Sequence, residues 1–210
     1  SFVGLSASFS ETRPKTAILI DTDPALTSRL GLDVDDDLAV AMLAGTDHTR
    51  ILGASSTFGN ALPGTTCHRL KSLMAELHLA DTVPVACGPD GLGFWLTSLL
   101  EMRAWFRREN WQNPAAELLV ELTRSFNTTA QNGTTNTERL VWLSLGAMTN
   151  IADALRLLSD SPQARRILPS EVVVLATRLD GGWDLNVGSD LEAAEYVLTE
   201  AAKFANVTVI

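Results

Sequence analysis

Ala17-Ile-Leu-Ile-Asp-Thr-Asp-Pro24 and, a few residues on, Gly31-Leu-Asp-Val-Asp-Asp-Asp-Leu-Ala39 form the stretch whose reading decides the fold. An apolar run, Ala17 to Ile20, delivers Asp21 and Asp23; Asp33, Asp35, Asp36 and Asp37 follow, so six aspartates crowd one stretch that holds a single nearby cation, Arg29. Carboxylates at contact distance raise each other's pKa unless a cation lies between them. A hard divalent ion with oxygen ligands, Ca²⁺ or Mg²⁺, answers that need. The ordinary alternative is capping: an acid in a helix's first turn gains roughly 0.3–1 kcal/mol from the helix dipole, and a single Asp there needs no ligand to explain it. A strand-end pair joined to a helix-start cluster asks for more than a cap.

Working outward, the apolar run ending in Asp-x-Asp-Pro reads as a buried parallel strand whose last residues emerge at its carboxyl end, where α/β sheets bind ligands. Leu38 to Ala44 reads as a helix carrying acids in its first turn. Further strand signals fall at Ile51–Ser55, Val83–Ala86, Leu140–Leu145, Val172–Leu175 and Val207–Ile210. Between them, Cys67, Leu70, Leu73, Met74 and Leu77 share a helical face, as do Leu118, Leu119, Leu122 and Phe126, and Asn150–Leu158 and Leu191–Phe204 complete the helices. Gln112 to Pro114 starts a helix, with Pro114 tolerated in the first turn. Phe126 to Glu138, rich in Asn, Thr and Gly, reads as a surface loop. Strands alternating with helices predict an α/β fold with a mainly parallel β-sheet flanked by helices. Right-handed crossovers then bring the landmark strand ends to one edge.

A chain of 210 residues with 46% hydrophobic content has ample material for a core. Residues 1–15 are polar, rich in Ser and begin without Met, and read as a disordered or processed segment ahead of one α/β domain over 16–210. No apolar run approaches membrane-spanning length. A net charge of −9 speaks against a nucleic-acid surface, which needs clustered Lys and Arg. Cys67 and Cys87 fit no zinc spacing and form at most one bridge; two buried thiols are the plainer reading. The sequons at Asn127, Asn132 and Asn206 leave a secreted origin open beside the expected cytoplasmic location. Trp95, Trp105 and Trp111 either line a base pocket or, more plainly, pack in a core or lid.

Asp-Thr-Asp-Pro, a loop, then Asp-Val-Asp-Asp-x-Leu-Ala resembles the signature of the inosine-uridine preferring nucleoside hydrolases. Ser56-Thr-Phe-Gly-Asn60, Gly146-Ala-Met-Thr-Asn-Ile-Ala152 and Asp184-Leu-Asn186 followed by Ser189-Asp-Leu-Glu-Ala-Ala194 stand in that family's order. Four motifs in sequence carry the resemblance from about Thr16 onward. It implies Ca²⁺-dependent hydrolysis of the N-glycosidic bond of ribonucleosides, as in purine and pyrimidine salvage. By the same resemblance Asp23 is a metal ligand and the general base, Asp36 a second ligand, and the main-chain carbonyl of Leu145 a third. Asp35, Asn60, Asp184 and Asn186 contact the sugar, and Asp21 orients its neighbours from behind. Asp184 stands where relatives usually carry Glu, one methylene further from the sugar.

The residue types suit that chemistry. Breaking an N-glycosidic bond builds positive charge on the sugar, which carboxylates stabilise. A metal binds vicinal hydroxyls and lowers the pKa of a water. A buried site built for both ribose hydroxyls would disfavour deoxyribose. The resemblance also implies that relatives continue past the position of Ile210 with an Asp completing the Ca²⁺ shell and, in many, a His near the departing base. None of His48, His68 or His78 stands at an equivalent place, and Leu175-Ala-Thr-Arg-Leu-Asp-Gly-Gly182 lacks an Asn that relatives use on the sugar. The expected fold therefore lacks its C-terminal portion. Three readings stay open: a fragment needing a complementary C-terminal piece, a weak or inactive binding protein, or a homo-oligomer in which another subunit supplies the acid. A Mg²⁺-dependent phosphatase of the haloacid-dehalogenase type, to which Asp21-Thr-Asp23 is also similar, leaves Asp33 to Asp37 unexplained.

Overall fold

In the computed structural model, residues 16–26, 34–89, 112–131, 138–159, 167–176 and 184–210 are described. Six strands are found among them: β1 Thr16–Thr22, β2 Thr49–Ser56, β3 Val85–Cys87, β4 Arg139–Ser144, β5 Glu171–Val174 and β6 Val207–Val209. They pair in parallel in the order β3-β2-β1-β4-β5-β6. The direction of winding reverses between β1 and β4. In open α/β sheets the crevice outside the strand ends at such a reversal is where ligands bind, and β1 delivers Asp21 and Asp23 there.

Helices α1 Asp35–Ala44, α2 Pro63–Glu76, α3 Pro114–Gln131 and α4 Thr149–Ser159 connect or cover the strands, and the short α5 Leu185–Ser189 and α6 Leu191–Glu195 follow β5. Beyond Thr16, every residue of β1 is buried, as a central parallel strand requires. Its alternate side chains divide the core. Ala17 and Leu19 join Leu119, Trp142, Ile151 and Leu155 under α3 and α4. Ile18 and Ile20 join Val40, Leu70, Leu73 and Met74 under α1 and α2. Each fully buried Leu or Ile contributes roughly 1.5–3 kcal/mol, so a one-residue slip of β1 would exchange two sets of such contacts.

Three readings from the sequence need correction. The stretch after Phe126 is helical to Gln131, not loop, because its polar side chains bond back to the preceding turn: Asn127 Nδ2 donates to Thr123 O at 3.0 Å, Thr128 Oγ1 to Arg124 O at 2.8 Å and Thr129 Oγ1 to Ser125 O at 3.0 Å. Asn127 also donates to Ile167 O at 3.0 Å, a tertiary tie invisible to local pattern. The helix expected over Leu191–Phe204 is present and runs from α6 directly into a π-helical turn Tyr196–Glu200 and a 3₁₀ turn Ala201–Lys203. β3 starts at Val85, two residues later than the apolar run suggests. Cys67 and Cys87 form a disulfide rather than two thiols, with Cα atoms 5.4 Å apart, which ties α2 to β3.

The start of α3 follows its reading. Pro114 is its first residue and Asn113 Oδ1 accepts from Ala116 N at 3.1 Å, an N-cap bond. Asp33, Arg29, the three tryptophans, Asn132, residues 1–15 and residues 177–183 lie outside the described residues. No helix among the described residues is long and apolar enough to cross a membrane.

Candidate active site

The carboxyl end of β1 and the first turn of α1 meet at one mouth. Asp21 pairs in register with Ser55 of β2 on one side and Ser144 of β4 on the other. Its Oδ1 accepts from Ser55 Oγ at 2.6 Å and from Asn150 Nδ2 at 2.8 Å. Its Oδ2 is buried and meets no hydrogen-bond partner among the described residues. Burial pushes the Asp21 carboxyl from 3.8 up to about 7; the bonds from Asn150 and Ser55 pull the other way, and the charge of Asp36 adds to the rise. Asn150 also donates to Ser56 O at 3.0 Å, so one amide ties the first two strand ends together from α4.

Asp23 is wholly buried. Its Oδ2 accepts from the backbone N–H of Asn60 at 2.7 Å, and its own N–H donates to Asp36 Oδ1 at 3.3 Å. Two glycines close around its carboxylate. A Cβ at Gly59, whose φ is +151°, would fall on Oδ2, and a Cβ at Gly146 would fall on Oδ1. Both positions therefore need the missing side chain, Gly59 for its backbone as well.

Asp36 is drawn into the same group from α1: Thr22 Oγ1 donates to its Oδ1, and Asn60 Nδ2 donates to its Oδ2 at 3.1 Å. Asp35 is exposed at the rim and accepts from the Asp36 N–H at 2.9 Å. Asp37, one residue on, turns away into an ion pair with Arg69. The aspartate crowding read from the sequence therefore separates into two groups.

The remaining predicted residues follow the ends of β4 and β5 in the chain. Asn186 Nδ2 donates to the Leu145 carbonyl at 2.8 Å and to the Leu175 carbonyl at 2.9 Å, clasping the ends of β4 and β5. The Leu145 N–H donates to Asp21 O at 2.8 Å, which sets the chain direction beyond β4. Asp184 is the N-cap of α5, with Oδ1 accepting from Val187 N at 2.9 Å. Asp23, Asp36 and Asn60 are thus bonded into one network, while Asp21 is held separately by Ser55 and Asn150 and is joined through its backbone to Leu145, with Asn186 attached. Reasoning from sequence passed over Thr22, Ser55 and Asn150 as donors and Gly59 and Gly146 as walls. Gly59, Gly146 and Asn150 lie inside the motifs already quoted, which was the available signal.

The donor types suit a hard cation: two carboxylates, Asp23 and Asp36, and one carbonyl, Leu145. Among the described residues, no three His, Cys, Asp or Glu side chains converge as a metal-holding group. A cavity lined by Leu43, Thr49, Ile51, Leu79 and Val83 opens at the start of β2, away from this mouth.

A sequence profile of the inosine-uridine preferring nucleoside hydrolase family matches residues 18–210. No curated protein matches the chain. Among solved structures, a plant nucleoside hydrolase is similar over 94% of this chain and 60% of its own, with 17% identity and a TM-score of 0.63. A purine-preferring ribonucleoside hydrolase from Gardnerella vaginalis covers 92% of this chain and 60% of its own at 19% identity and a TM-score of 0.61. An inosine-uridine preferring nucleoside hydrolase from Bacillus anthracis covers 92% and 63% at 16% identity and a TM-score of 0.56. This chain therefore spans about three fifths of the length of the solved structures it matches, and shares their fold. It belongs to the inosine-uridine preferring nucleoside hydrolase family.

Proposed function

We propose that this member of the family hydrolyses the N-glycosidic bond of ribonucleosides, releasing free base and ribose. The observation that carries the proposal is the seat of Asp23: a buried carboxylate at a strand end, walled by Gly59 and Gly146 and adjoining Asp36. A group so confined is preorganised, which is what positioning a water against a sugar carbon demands.

Asp23 acts as the general base, taking a proton from the attacking water, and Asp36 shares its charge with the developing positive sugar. Asp35, at the rim, meets a ribose hydroxyl. Asn186 has its amide hydrogens on two carbonyls, so Oδ1 is the atom it offers to a hydroxyl. Asn60 bonds to both acids and would hold a sugar hydroxyl, as would Asp184 at the start of α5. Asp21 holds the β1 end against Ser55 and Asn150 and so keeps Asp23 in line. Asp23, Asp36 and the Leu145 carbonyl would hold a calcium-type cation, whose chemistry when bound would be to bind sugar hydroxyls and lower the pKa of a water.

The test is ribose release from inosine and uridine with Ca²⁺ and with a chelator, alongside calorimetric binding of the same nucleosides. Ca²⁺-dependent ribose release is the expected result. Binding without turnover would reassign the chain as a nucleoside-binding module, and phosphate release from a phosphomonoester would overturn the reading altogether.

A further inference from the structure

We propose that Arg69 is a positioning residue for the acidic mouth: through Asp37 it fixes the rotation of α1 and thereby the placement of Asp36. The proposal rests on the reading of Asp36 given above. Arg69 and Asp37 are both buried, at 6% exposure of each side chain, and Arg69 Nε and Nη2 each lie 2.5 Å from Asp37 Oδ1. Glu76, two turns along α2, holds the guanidinium from the other side, accepting from Nη1 at 2.7 Å and Nη2 at 3.3 Å. The planar fork is thus aimed at α1 by a second carboxylate of its own helix.

The later part of α1 is held by Val40 in the core, with Ala39 and Leu43 packed beside it, whereas its first turn is held by its acids. Its N-cap residue, Val34, makes no side-chain cap bond, and its buried residues are Asp36, Asp37 and Val40. Leu38 and Met42, off that face, are 57% and 64% exposed. Two of three buried side chains are therefore carboxylates, and what they bond to sets how the helix sits. Successive residues point about 100° apart around a helix. Asp36 reaches across to Thr22 and Asn60 while Asp37 reaches to Arg69, so the two bonds act as opposed stays. The stay on the α2 side has a firm base: Leu70, Leu73 and Met74 are in the core, and Cys67 is joined to Cys87. Release of Arg69 leaves Asp37 buried without its partner, and the least costly relief is rotation of α1 toward solvent, which carries Asp36 with it.

Asp37→Asn, close to isosteric, and Arg69→Lys, which keeps charge but loses the fork, test this in the full chain with Arg69→Met as the stronger change. Each is measured, at a temperature where it is folded, by amide hydrogen exchange along the chain, by calorimetric Ca²⁺ binding and by kcat and KM for inosine. Exchange confined to residues 35–40 is expected to rise about tenfold, with β1 and α2 unchanged. Ca²⁺ affinity should fall roughly tenfold or more, as for other groups that orient a ligand. kcat should fall more than KM rises, and Arg69→Lys should recover part of each loss. Unchanged exchange in α1 with unchanged affinity overturns the proposal, as does a loss of protection spread evenly over the chain, the mark of a merely stabilising pair. If the unaltered chain binds no Ca²⁺, the cation reading fails and the exchange pattern decides the role of Arg69 alone.

Discussion

Asp36 and Asp37 are adjacent in sequence, nearly equally buried, and sit in two different kinds of place. At the mouth, Asp36 is met by a hydroxyl, a side-chain amide and a backbone N–H. At the seam between α1 and α2, Asp37 is met by a guanidinium. Neutral donors stabilise a carboxylate while leaving most of its charge to act on a ligand; a cation at contact distance cancels it. One helical step thus separates an acid suited to chemistry from one suited to holding a helix. A count of aspartates is a poor measure of a site, and the partner each finds is a better one.

The comparison can be broken or sharpened by experiment. The largest effect is expected from Asp23→Asn, which should cost about 10²–10⁴-fold in ribose release by removing the base, with the thermal midpoint retained. Wild-type turnover in that variant would make the mouth no more chemical than the seam. Next comes Gly146→Ala. Its methyl would land on the Asp23 carboxylate, and a displacement on the order of 1 Å should lower kcat about 100-fold, with circular dichroism unaltered. An active Gly146→Ala enzyme would show that the wall around Asp23 yields.

On the seam side the effects should be on stability. The Cys67–Cys87 bridge closes a loop spanning 20 positions. Replacing both cysteines with serine should lower unfolding free energy by roughly 3 kcal/mol, read by denaturant titration. The smallest effect is expected from Glu76→Gln. The bond from Arg69 lowers the Glu76 pKa from 4.5, so its contribution is present above pH 4.5 and lost as pH falls through the lower, folded-state value. Thermal midpoints of wild type and variant should differ slightly at neutral pH and converge in acid. A gap that persists in acid would place the Glu76 contribution outside the ion pair.

Much of this architecture was legible in the residues. The alternation of apolar strand runs with helical faces predicted a parallel α/β sheet, and all six strands appear within a few residues of where the pattern put them. Strand periodicity is a local property, and local properties survive the loss of everything but the chain. The convergence of Asp21, Asp23, Asp36 and Asn60 was likewise anticipated, because residues at strand ends and helix starts of one parallel sheet edge have few other places to go. The misreadings share a cause. The extension of α3 through Asn127, Thr128 and Thr129 depends on side chains bonding back to the helix and across to Ile167. Poor intrinsic helix formers gave no hint of that compensation. The disulfide likewise needs two cysteines brought together by the approach of α2 to β3, which spacing along the chain does not encode.

What the amino-acid order determined by itself is therefore the inventory: which acids exist, which elements carry them, and at which edge of the sheet they emerge. What tertiary structure alone decided is the division of labour among them. Whether an aspartate faces Thr22 and Asn60 or Arg69 depends on the rotation of one helix against two neighbours. That rotation is set by contacts between residues far apart in sequence, whose energies no local pattern contains.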